Sequence, residues 1–72
     1  MLRPGMTVLS YSHAYRRKVT ARLEGRNQCH RDVWIASWWD ERRRKHTTLV
    51  HPNNVLAVLT EDGFQTVLPG IM

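Results

Sequence analysis

Seventy-two residues, with eleven Lys and Arg against six Asp and Glu and a formal charge of +5, are expected to make one small basic domain or none, with no second domain. At 42% hydrophobic and 24% charged the chain is not disordered by composition, and a single cysteine, Cys29, excludes an internal disulfide and any cysteine-pair metal site. An isoelectric point near 10.4 favours polyanions over basic partners.

The N-terminal Met1-Leu2-Arg3-Pro4-Gly5 lacks the apolar core of a signal peptide, and no apolar run is long enough to cross a bilayer. A cytoplasmic protein without a membrane partner is therefore expected. Pro4-Gly5 reads as a turn releasing the chain into a first strand, Met6 to Tyr11. After the polar loop Ser12 to Arg17, the segment Lys18 to Leu23 alternates strictly. Val19, Ala21 and Leu23 are expected to face inward, with Lys18, Thr20 and Arg22 in water.

Gly25 to Asp32 is a polar connection of the length found in small barrels. A third strand runs from Val33 to about Trp39 and contains all three tryptophans of the chain. Period two puts Trp34 and Trp38 on one face with Ala36, and Val33, Ile35, Ser37 and Trp39 on the other. The β-branched pair Val33 and Ile35 favours the register that takes them and Trp39 inward, leaving Trp34 and Trp38 outside; the opposite register leaves Trp39 outside.

Asp40 to Lys45 has the composition of an exposed hairpin connection, in which Asp40 and Glu41 are placed to pair with Arg42 or Arg44. His46 to Val50 returns as a fourth strand, Pro52-Asn53-Asn54 suits a single 3₁₀ turn, and Val55 to Leu59 makes a fifth strand. Its continuous apolar content calls for cover on both faces, from barrel closure or from a second copy. Thr60-Glu61-Asp62-Gly63 is a turn, and Phe64 to Leu68 is either a sixth short strand or a mobile tail. Residues 1–60 are thus read as the folded domain and 61–72 as a short extension.

All eleven basic residues lie between Arg3 and Lys45. Arg16, Arg17 and Lys18 precede the second strand, Arg22 points outward from it, and Arg42, Arg43, Arg44 and Lys45 form the third connection. Clustered guanidinium groups beside aromatic rings suit nucleic acid, because phosphate contacts release counterions and rings stack on bases. His13, His30, His46, His51 and Cys29 show no metal-ligand spacing, and no nucleophile pair, paired carboxylates or phosphate-cradling glycine loop is evident. A protein that is not an enzyme, and that carries no metal and no cofactor, is expected.

Thr48-Leu49-Val50-His51-Pro52-Asn53-Asn54-Val55 resembles the strand, 3₁₀ turn and final strand of the Src-homology-3-like small barrel. Arg3 to Val8 and Trp38-Trp39-Asp40 are similar to Tudor-like and KOW-like members of that group. The resemblance implies an all-β, five- to six-stranded antiparallel barrel with a 3₁₀ turn before the last barrel strand. It also implies partners drawn from nucleic acid, ribosomes, polymerase or methylated side chains. The first loop, Tyr15-Arg16-Arg17-Lys18, lacks the acidic character of the proline-peptide binders.

The leading expectation is a DNA- or RNA-binding module of low sequence specificity. Arg16, Arg17, Lys18, Arg22, Arg42, Arg43, Arg44 and Lys45 would contact phosphates, with Tyr15, Trp34 and Trp38 stacking on bases. The alternative is a protein-interaction module, an adaptor or inhibitor of phage or mobile-element type that docks on an acidic host protein. A homo-oligomer that buries its outer aromatics is a third reading.

Overall fold

The computed structural model describes residues 2–67. They form β1 (Thr7–Ser12), β2 (Arg17–Arg26), β3 (Trp34–Trp39), β4 (Lys45–Val50), the 3₁₀ turn η1 (Pro52–Asn54), β5 (Val55–Thr60) and β6 (Gly63–Thr66). Every pairing is antiparallel, and the strands lie in one sheet in the order β4-β3-β2-β1-β5-β6. Among the described residues no helix is long and apolar enough to cross a membrane.

The sheet curls without closing. Two strands separate β1 from β4 in the sheet order, yet the buried hydroxyls of Ser12 and Thr48 stand 3.4 Å apart. The hydrogen-bonded ladder leaves β4 and β6 as edges, so the barrel is approximate. β6 settles one alternative left open by the sequence, since Gly63–Thr66 pairs with β5 as a strand. Residues 68–72, including Leu68 of that segment, lie outside the described residues. Ala57 and Val58, consecutive and hence on opposite faces, are both buried, whereas Leu59 is exposed.

β2 follows its alternation: Val19, Ala21 and Leu23 are buried and Lys18, Thr20 and Arg22 are exposed. The strand is longer than expected because Gly25 and Arg26 pair with Ile35 and Trp34 of β3. At Leu23, Gly5 N–H donates to its O (2.7 Å) and its N–H donates to Met6 O (2.8 Å), which ties the N-terminal segment to β2. Gly5 makes this turn at φ +88°, where a side chain is strained.

In β3 the favoured register is overturned. Trp34 and Trp38 are 4% and 5% exposed and lie in the core with Ala36, while Trp39 is 55% exposed. The reason lies in the facing residues. The inner face carries small side chains at Ser10, Ser12, Ala21 and Ala36, and two indoles fill the space these leave. Burying an indole also removes more apolar area from water than burying Ile35, so aromatic volume outweighs β-branched preference. On the outer face Ser37 is buried beside the β2 bulge between Leu23 and Gly25, and its hydroxyl donates to Glu24 Oε1 at 2.6 Å.

Candidate nucleic-acid interface

The β3–β4 connection is organised by one carboxylate. Asp40 Oδ1 accepts from the backbone N–H of Arg42 (2.8 Å) and of Arg44 (3.0 Å), and Oδ2 lies 2.8 Å from Nε2 of His46. An ionised carboxylate only accepts, so Nε2 of His46 carries the proton. The backbone adds Asp40 N–H to Arg44 O (3.1 Å) and Arg43 N–H to Asp40 O (3.0 Å), closing a three-residue loop of Glu41, Arg42 and Arg43. The His46 hydrogen bond first, then the N–H groups of Arg44 and Arg42, hold the Asp40 carboxyl below its ordinary value, against an opposing effect of burial.

This corrects the expected pairing of the acidic residues with Arg42 or Arg44 across the turn. Asp40 spends its acceptors on main chain and histidine, and the one ion pair among the described residues is His46–Asp40. The guanidinium groups of Arg16, Arg17, Arg42, Arg43 and Arg44 and the ammonium groups of Lys18 and Lys45 have no carboxylate within ion-pair distance among those residues. All seven side chains are exposed.

Trp38 joins this hairpin to the β1–β2 connection. Its indole is stacked on His46 (centroids 4.4 Å apart, planes at 21°), meets Tyr15 edge-on at 5.2 Å, and has the Arg17 guanidinium 5.4 Å from its ring centre. Tyr15 also meets His46 at 5.4 Å. Arg17 shares the inward parity of Val19 and so ends the inner face of β2 directly beside this ring. The result is an open cleft between the two hairpins, with Arg17, Arg42 and Arg44 on its walls, Tyr15, Trp38 and His46 between them, and the carboxylates of Asp40 and Glu41 also at its lining.

The sequence-derived set is divided by the fold. Tyr15, Arg17, Arg42 and Arg44 converge at the cleft. Arg16 and Arg43 occupy the two connections, each with a left-handed backbone (φ 54° and 62°). Lys18 and Arg22 belong to the outer face of β2 by parity, and Lys45 sits opposite Trp39 with its ammonium 5.9 Å from that ring. Trp34 does not reach the cleft; it is buried, with the Arg26 guanidinium 5.1 Å from its ring.

The stacking role expected of Trp34 and Trp38 is therefore corrected, because neither indole offers a free face. Trp38 is the support on which Arg17, Tyr15 and His46 are held. Its Nε1–H is buried and has no acceptor among the described residues, so the ring is kept for its size and faces rather than for a hydrogen bond. The sequence reading missed His46 and the organising role of Asp40. An Asp opening a short basic hairpin loop is the signal for the second, since its side chain readily accepts from N–H groups two residues on.

No family model, curated protein or solved structure matches this chain.

Proposed function

We propose that the chain is a small barrel of the Src-homology-3-like kind that binds DNA or RNA through its phosphates, with low sequence specificity and without catalysis. One observation carries the reading. Two hairpins bring Arg17, Arg42 and Arg44 to one cleft; of the two carboxylates that also line it, Asp40 is occupied by His46 and two backbone N–H groups. Among the described residues neither Asp40 nor Glu41 is within ion-pair distance of these guanidinium groups, which leaves three cations to outside anions. Arg16 and Arg43, in the two connections, extend the positive field, while Lys18 and Lys45 lie on the outer face of the sheet. Arg22, on the outer face, adds to the general charge rather than to the cleft.

The test is an oligonucleotide titration at several salt concentrations, comparing the native chain with the triple variant R17Q/R42Q/R44Q. Each phosphate contact removed lowers the slope of log affinity against log salt by about 0.7 to 0.9, so the variant should show a slope reduced by about two to three. Equal affinity and equal slope would sink the assignment.

A second reading rests on a different face. Trp39 and Leu49 are 55% and 51% exposed on the outer face of β3 and β4, a surface suited to a protein partner or to a second copy. On that reading the aromatic anchors an interface and the arginines steer an acidic protein toward it. Light scattering across a concentration series detects the second copy, and a variant on that face such as Trp39→Ser would abolish it.

A further inference from the structure

Beside the basic cleft runs a second groove of about 340 Å³, between the end of β1 with its turn and the β4–η1 segment. Tyr11, His13, Tyr15, Leu49, His51 and Asn54 line it, and no acidic side chain does. Tyr11 and Tyr15 are 37% and 41% exposed, far more open than either core indole. Tyr11 and His13 meet at 4.9 Å with their planes at 77°, forming a corner that a flat heterocycle fills with its face on one ring and its edge against the other.

Tyr15 belongs to both depressions. It walls this groove and also the cleft of Arg17, Arg42 and Arg44, where Trp38 and His46 pack against its ring. Its turn is tied down, since Tyr15 N–H donates to Ser12 Oγ (3.4 Å), which in turn meets Thr48. An aromatic corner free of carboxylates thus adjoins an anion-binding cleft across one shared, held ring.

From this juxtaposition we propose that the groove is a base-stacking site and that the ligand is single-stranded nucleic acid. The phosphates lie in the cleft and a neighbouring base enters the Tyr11–His13 corner past Tyr15. Stacking on a side chain needs a base outside the duplex stack, so paired DNA fits the cleft without the groove. Asn54 and His51 supply polar atoms at the groove for the edge of a base. This inference rests on the phosphate-binding reading and deepens it by naming the strandedness of the ligand and the rings that receive it.

The experiment is a fluorescence-anisotropy titration with labelled oligodeoxythymidine and oligouridine, using a mixed-sequence duplex and inorganic polyphosphate as competitors. Native chain, Tyr11→Leu and Tyr11→Phe are compared. Tyr11→Leu should weaken binding of both single strands by about tenfold or more, Tyr11→Phe should restore it, and polyphosphate affinity should stay within about twofold of native in both. Circular dichroism and a urea titration of each variant establish that it is folded. If Tyr11→Leu binds the single strands as the native chain does while polyphosphate still binds, stacking is overturned and the phosphate reading stands. If the native chain binds the duplex as tightly as the single strands, the strandedness is overturned. Failure of the native chain to bind any of these polyanions would instead overturn the phosphate reading and this one with it.

Discussion

Asp40 and His46 are joined at 2.8 Å, and that contact decides what the basic hairpin does with its charge. The carboxylate also receives the N–H groups of Arg42 and Arg44, so it shapes the loop without neutralising the guanidinium groups. Because these bonds favour the ionised form, the Asp40 carboxyl titrates lower in the folded chain than in the unfolded one. The stabilisation is then complete above the unfolded value of about 4 and is lost as pH falls through the folded value. Amide chemical shifts of Arg42 and Arg44 should follow one acid transition with a midpoint below about pH 4, absent in Asp40→Asn. A midpoint at or above that value contradicts the arrangement.

The orientation of β3 gives a prediction about stability. Trp34 lies in the core and Trp39 in water, so truncating the two should have very different costs. Trp34→Ala is expected to lose about 3–5 kcal/mol, enough to unfold so small a domain, whereas Trp39→Ala should stay within about 0.5 kcal/mol. Urea titration of the two variants is the measurement. Comparable losses would mean that the strand packs the other way.

Much of this fold was legible because short-range signals agreed with one another. The strict alternation of Val19, Ala21 and Leu23, the Pro52 turn, and the turn residues ahead of Gly63 each name one local structure. The direction of β3 was not legible, because both of its faces are apolar and periodicity fixes only which residues share a face. What decides is the size of the inward residues it faces, Ala21 on the neighbouring β2 and Ser10 and Ser12 on β1, which come from other strands. The candidate site divides in the same way. The basic clusters are visible in the chain, but their meeting around Trp38, and the role of Asp40, depend on two hairpins being brought side by side.

Trp38 offers a prediction that separates its size from its polar atom. Since Nε1–H has no acceptor among the described residues, Trp38→Phe forfeits no hydrogen bond there. The loss should come from volume and from weaker seating of Arg17 and His46, about 1–3 kcal/mol in urea unfolding. Oligonucleotide affinity should fall with it, because Arg17 and Tyr15 lose the surface that fixes them. A Phe variant of native stability and affinity would show that the indole supports nothing at the cleft.

Arg16 and Arg43 present a local conflict between backbone and side chain. Both adopt the left-handed conformation, at φ 54° and 62°, at connections where glycine is the residue without steric cost. The left-handed backbone disfavours a side chain by about 1–2 kcal/mol, while glycine gives back about 0.5–1 kcal/mol through its greater unfolded-state entropy. Arg43→Gly should therefore leave stability unchanged or raise it by up to about 1.5 kcal/mol, and Arg16→Gly should behave alike. If arginine stands at these positions for its charge, the same variants should bind oligonucleotides more weakly and with a shallower salt dependence. Gain in stability together with loss of binding is the signature of a residue retained for its ligand. Loss of stability would instead assign both arginines to holding the turns.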